Sequence, residues 1–151
     1  MENKILAIAS MGGHWIQLLR LMPAFELEQH ELVFMTTKKG IADTIKDHKL
    51  YYVPDANRWT KLALVRMAYK VAKIVFIVRP KVIITTGAAP GLIGVIIGRI
   101  IGAKTIWIDS IANVEHLSLS CKIARFFASR IYTQWPHLTK KKIIFNGNVI
   151  S

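Results

Sequence analysis

The chain is poor in several residues and patterns that would narrow its class at once. Its single cysteine, Cys121, excludes an intramolecular disulfide and a Cys-rich zinc set, and suits a reducing cytoplasm. The five histidines (14, 30, 48, 116 and 137) are scattered without metal-ligand spacing, so no metal is expected. Acidic residues are scarce: nine Asp and Glu stand against 21 Lys and Arg, a net charge of +12. Such a surface attracts polyanions such as nucleic acid, anionic lipid headgroups or phosphorylated substrates, or is simply a solvated basic surface. Zinc-finger and RNA-binding signatures are missing. With a mean hydropathy of +0.34, the balance favours a membrane surface over nucleic acid, and no nucleic-acid partner is expected.

An unbroken transmembrane run is missing too. The best stretch, from Lys81 to Arg99, is interrupted by Thr85-Thr86-Gly87 and Ala89-Pro90-Gly91, which divide it into strand, loop and helix. It reads as soluble core, with peripheral membrane association left open. Glu2-Asn3-Lys4 leads directly into a strand-like run, so no signal peptide is expected.

What is present is 52% apolar residues in alternating strand and helix patterns, enough for one full core in a single domain spanning 1–151. Strands are expected at 4–9, 31–36, 49–53, 81–85, 104–109, 130–133 and 143–146. Helices are expected at 14–28, 39–47, 58–79, 91–101 and 119–129. Strands separated by helices imply right-handed βαβ units. The expected fold class is α/β: a Rossmann-like, doubly wound, mostly parallel sheet in three α/β/α layers. Continuous apolar strands such as Val82-Ile83-Ile84 fit a sheet covered on both faces.

In that topology the loops following the strands share one edge of the sheet, where ligands bind. The first, Ser10-Met11-Gly12-Gly13-His14-Trp15, is a glycine turn between strand and helix. It offers free N–H groups and a helix dipole to an anion, and sets one imidazole beside them. Such a histidine is a candidate general base for a sugar hydroxyl. The same residues also suit a plain tight turn whose histidine caps the helix. The turn lacks the third glycine of a dinucleotide fingerprint, and no phosphate-loop Gly-Lys follows.

The second loop, Thr86-Gly87-Ala88-Ala89-Pro90-Gly91, again joins strand to helix. The third, Asp109 to His116, carries Asp109, Ser110 and Glu115 at the end of a buried strand. Its carboxylates are candidates to bind sugar hydroxyls or to orient His14. Asp109 also suits a turn cap, and Glu115 a solvated surface. In 58–79, Arg58, Lys61, Arg66, Lys70 and Lys73 share one half of a helix with Leu62, Tyr69 and Phe76. With Trp59 beside them they form a candidate membrane-contact face, or else a surface helix whose cationic stems cover apolar neighbours.

Taken together, Ser10-x-Gly12-Gly13-His14-Trp15-x-Gln17-Leu18, Thr86-Gly87-x-x-Pro90-Gly91, Asp109-Ser110-x-Ala112-x-Val114-Glu115 and Gln134-Trp135-Pro136-x-Leu138 resemble the motifs of the Alg-fourteen-like proteins. These include the PssD-type subunits of capsule and exopolysaccharide synthesis. The resemblance runs from Lys4 to about Gly147. Asp109 departs from the Glu more usual there, and Cys121 falls where Leu-Ser-Gly-Lys/Arg is usual.

The resemblance implies the N-terminal, acceptor-side half of a split, MurG-like GT-B glycosyltransferase, at the cytoplasmic face of the membrane. It implies a separate donor-binding subunit, a UDP-sugar donor and a polyprenyl-diphosphate-linked sugar acceptor, with no metal and no cofactor. His14 takes the candidate role of general base, with Glu115 beside it. Gly12, Gly13, Trp15, Thr86, Gly87, Pro90, Gly91, Asp109 and Ser110 become candidate substrate contacts. Self-association of an unpartnered chain is consistent with an open cleft face. Two competing readings remain: a peripheral membrane scaffold lending no catalytic residue, and a standalone Rossmann-like nucleotide-binding enzyme.

Overall fold

The computed structural model describes residues 3–57 and 59–150. Seven strands form one sheet: β1 (Asn3–Ile8), β2 (His30–Thr36), β3 (Lys49–Tyr52), β4 (Val82–Thr85), β5 (Lys104–Ile108), β6 (Arg130–Thr133) and β7 (Ile143–Phe145). Their order is β3-β2-β1-β4-β5-β6-β7, and every neighbouring pair is parallel. The strand order therefore reverses between β1 and β4, and the carboxyl ends of these two strands border the crevice that such a reversal opens.

Alternation along the strands divides the core in two. Leu6, Ile8, Val33, Met35 and Ile83 face α2 (Lys61–Val78), meeting Met67, Val71, Val75 and Val78. Ile5, Ala7, Leu32, Phe34 and Ile84 face the opposite way, toward Trp15 and Leu18 of α1 (Gly13–Leu21), Phe25 and Ile45. A third cluster joins α3 (Ala88–Ile100) and α4 (Leu119–Ala124) through Val95, Trp107, Cys121, Ala124 and Ile131. The three-layer Rossmann-like architecture holds, with a sheet that is parallel throughout its strand pairs.

All seven expected strands are present, with ends shifted by a residue or so. The helices differ more. The expected helix at 14–28 stops at Leu21, because Pro23 lacks the N–H a continuing helix needs, and a 3-10 turn (Met22–Ala24) follows. The expected helix at 39–47 is only a 3-10 turn (Ala42–Thr44), bracketed by positive φ at Gly40 (85°) and Lys46 (47°). The helix expected at 58–79 begins at Lys61: Asn57 Oδ1 accepts from the backbone N–H groups of Trp59 and Thr60, which favours a turn over a helix there. α3 begins at Ala88 rather than residue 91, placing Pro90 in a first turn where its missing N–H costs nothing. The helix expected at 119–129 ends at Ala124, and Ser129 instead donates its N–H to the Thr105 carbonyl as β6 begins.

α3 lies close on the sheet through small residues. A Cβ added at Gly91 would sit 2.0 Å from Thr85 Oγ1. Gly91→Ala is therefore expected to destabilise the domain by about 1–3 kcal/mol. Urea unfolding followed by tryptophan fluorescence measures this, and the loss should shrink when Thr85→Ala is added.

Candidate functional site

The first and second glycine loops meet across the β1/β4 reversal. His14 Nδ1 lies 2.9 Å from the Thr86 carbonyl oxygen, and Thr86 Oγ1 donates to the His14 carbonyl at 2.6 Å. A carbonyl only accepts, so this bond requires Nδ1–H and leaves the Nε2 lone pair of the neutral ring free. Neither Asp109 nor Glu115 orients the imidazole; the backbone of Thr86 does. Gly87, at φ 128°, lies against the ring, and a Cβ there would approach His14 Cε1 to 3.0 Å and Nδ1 to 3.1 Å. Ala88 follows with φ 65°, a costly conformation for a residue with a Cβ.

Gly12 and Gly87 are the N-cap residues of α1 and α3. Having no side chains, they place no capping group on the first-turn N–H groups of the two helices beside the half-buried His14; Gly12 lies at the surface and Gly87 is buried. Gly12 and Gly13 are exposed. Two such helix ends side by side form a cradle suited to an anion such as a diphosphate.

Several expected contacts fall inside the protein. Trp15 is 2% exposed, edge-on to Phe34, with its Nε1–H donating to Thr44 Oγ1 at 3.3 Å. Thr86, Gly87, Pro90 and Gly91 are buried. Asp109 is 2% exposed, and its carboxylate accepts four hydrogen bonds. They come from Trp107 Nε1 (3.2 Å), Ser118 Oγ (2.7 Å), Ser118 N (3.0 Å) and Asn113 Nδ2 (3.3 Å). That carboxylate is committed to holding its own loop, which corrects its expected place among sugar contacts. Trp15 is likewise corrected to a core residue beneath the turn, since its indole is covered by the sheet. Ser110 is half-buried, and Glu115 is exposed on the same loop.

Gln17, a position of the first motif to which the sequence assigned no role, contributes a link. Its Nε2 donates to the Asp109 carbonyl at 3.0 Å, and its Oε1 accepts from Ile111 N at 3.0 Å. Its place in that motif, a polar residue one turn into an apolar helix, is the sequence signal for it, and the side chain is buried. Trp135 Nε1 donates to the Ile111 carbonyl at 2.9 Å, and His137 Nε2 to the Val114 carbonyl at 2.6 Å. The third loop and the Gln134–Leu138 segment are thus bound together. Beside them a cavity of about 500 Å³ opens between Ile108, Thr133, Gln134 and Asn146–Val149.

In the candidate membrane face, Lys61, Leu62, Arg66, Tyr69, Lys70 and Lys73 of α2 are exposed, as is Trp59 before it, while Arg58 lies outside the described residues. No helix among the described residues is long and apolar enough to cross a membrane.

Burial pushes the Cys121 thiol up to about 12, aided by nearby Asp109 and opposed by Arg125. The thiol is therefore expected to resist iodoacetamide at pH 8 in the folded protein and to react once urea unfolds it. Because the folded thiol keeps its proton after the unfolded one releases it near 9, this stabilisation is complete below pH 9 and is lost as pH rises toward 12. Asp109→Ala, which strands four donors, is expected to cost about 2–4 kcal/mol in a urea titration.

Residues 53–149 match the family described as "Oligosaccharide biosynthesis protein Alg14 like". The UDP-N-acetylglucosamine transferase subunit ALG14 of Yarrowia lipolytica is 24% identical over 91% of this chain and 76% of its own length. The protein of the same name from Rattus norvegicus is 22% identical over 97% and 82%. Among solved structures, Acinetobacter baumannii MurG superposes with a TM-score of 0.77 at 9% identity over 95% of this chain. UDP-N-acetylglucosamine 2-epimerase from Rickettsia bellii gives 0.75 at 12% identity over 99%. These two likenesses are of fold, and the chain spans only 45% and 46% of those solved chains.

Proposed function

The chain belongs to the Alg14-like family of oligosaccharide biosynthesis proteins, and from that premise we propose that it is the accessory, acceptor-side subunit of a two-component glycosyltransferase. The observation that carries this reading is the His14 imidazole, held by the Thr86 carbonyl between the uncapped N-termini of α1 and α3. The names of the two curated relatives, transferase subunits, support the division of labour. A separate donor-binding subunit covers the carboxyl edge of the sheet and brings a UDP-sugar. The acceptor is a polyprenyl-diphosphate-linked sugar.

In the proposed step, an acceptor hydroxyl oxygen attacks the anomeric carbon of the donor. The bond from that carbon to the nucleotide diphosphate breaks, and the hydroxyl proton passes to His14 Nε2. Thr86 keeps Nδ1–H engaged throughout, so the ring gains its proton without turning, and the carbonyl stabilises the resulting cation. The first-turn N–H groups at Gly12-Gly13 and after Gly87 face diphosphate charge. Ser110 and Glu115 bond acceptor hydroxyls, while Asp109, Gln17 and Trp15 act as positioning residues behind them. The exposed face of α2, with Trp59, Lys61, Leu62, Arg66, Tyr69, Lys70 and Lys73, rests on the cytoplasmic face of the membrane.

Reconstitution tests the reading. The chain, its partner subunit, labelled sugar nucleotide and lipid-linked acceptor together should give transfer well above the partner alone; equal rates would overturn it. His14→Ala should leave the complex assembled but slow transfer by about 10²-fold or more. Gly87→Ala, which displaces the ring without removing it, should slow transfer by about tenfold.

A further inference from the structure

Charge is unevenly divided along this chain, and the fold turns that division into a surface. Beyond Asp55 lie 15 of the 21 Lys and Arg but only two acids, Asp109 and Glu115. α2, α3 and α4 pack side by side, and none contains Asp or Glu. The acidic Glu26, Glu28, Asp43 and Asp47 belong to the segments around Phe25 and Ile45, on the opposite face. Glu31 is engaged by Lys4 at 3.3 Å and Lys49 at 3.2 Å.

Each of the three helices follows a parallel strand and returns along it. Their C-terminal ends therefore gather at the amino edge of the sheet, away from His14. Phe76, Ile77, Ile100 and Phe126 are exposed there. Between the end of α4 and the start of β7 runs a groove of about 520 Å³, lined by Arg99, Arg125, Phe126, Arg130, Lys141 and Lys142. A smaller pocket of about 290 Å³ continues it past Lys140. The Phe126 ring is 72% exposed, with the Arg125 guanidinium 4.8 Å from its centre.

Six like charges around one exposed ring repel one another, and the fold supplies no carboxylate among the lining residues to offset them. An anionic bilayer meets both needs: headgroup phosphates neutralise the cations, and the interfacial region takes up the ring. Ile123, one turn before Phe126, and Ile100 at the end of α3 are also exposed and add apolar depth that a bilayer uses and a nucleic acid does not. We propose that the α4–β7 groove is an anionic-lipid site that takes phosphate-bearing headgroups of the bilayer while Phe126 enters the interface. With the face of α2 it gives two separated attachments, which fix how the domain is turned about the membrane normal. The inference rests on the peripheral attachment in the proposed function and is independent of its chemistry.

Vesicle flotation of the full chain tests it, with neither partner nor sugar nucleotide present. Partition to phosphatidylcholine vesicles containing about 30 mol% phosphatidylglycerol should exceed that to phosphatidylcholine alone by about tenfold or more, and should fall with salt. Arg125→Glu/Lys141→Glu/Lys142→Glu should lower it by about 10²-fold, and Phe126→Ser by about tenfold. Circular dichroism should be unchanged, and the milder Lys141→Ala/Lys142→Ala pair should lose in the same direction. Equal binding to neutral vesicles, undiminished binding of the groove variants, full competition by millimolar inorganic phosphate, or tighter binding to a single-stranded oligonucleotide would each overturn the proposal. A failed transfer reconstitution would leave this result standing, and the reverse holds too.

Discussion

Two hydrogen bonds between residues 72 positions apart govern the candidate site. His14 gives its Nδ1–H to the Thr86 carbonyl, and Thr86 returns its hydroxyl to the His14 carbonyl. The pair fixes the imidazole tautomer and the spacing of two loops at one stroke. It forms only because the strand order reverses between β1 and β4, which sets the ends of these strands side by side. It also bears on Gly87: at φ 128° a Cβ there is strained, and it would crowd the ring so that the ring must give by a few tenths of an ångström.

Around this clamp, buried polar groups serve geometry rather than solvent. A buried carboxylate is tolerable only when its oxygens are satisfied, and Asp109 meets that condition with four donors drawn from Trp107, Asn113 and Ser118. Ser118 Oγ in turn accepts from Cys121 N and caps α4, so the end of β5 and the start of α4 are set by one side chain. Gln17 ties this assembly back to α1. A shortened carboxylate at position 109 is thus compatible with a site in which the exposed Glu115, not Asp109, faces solvent.

The two edges of the sheet have different characters. The carboxyl edge gathers glycine turns, helix N-termini and the imidazole, all suited to holding a small anionic group with directed N–H donors. The amino edge of the helical layer gathers Lys, Arg and exposed rings, suited to a broad surface of diffuse negative charge. Parallel strands with returning helices produce this separation directly, since each crossover carries its N-terminus to one edge and its C-terminus to the other.

The strands, the class of fold and the three candidate loops were legible in the sequence. Apolar β-branched runs are local signals that survive folding unchanged, and a glycine pair between strand and helix marks a tight turn. The sequence also determined the charge imbalance and the cationic, apolar face of α2. Helix lengths were less legible, because Pro23, the positive φ at Gly40 and Lys46, and the Asn57 turn outweigh periodicity at those ends. Which motif side chains stay accessible and which are buried depends on packing between distant segments. Trp15 and Asp109 lie in motif positions indistinguishable in sequence from His14 and Glu115, yet burial against Phe34 and Trp107 commits them to the interior. Strand order, the Thr86 clamp and the α4–β7 groove likewise join residues far apart in the chain, and no local pattern encodes a contact between segments that only the sheet brings together.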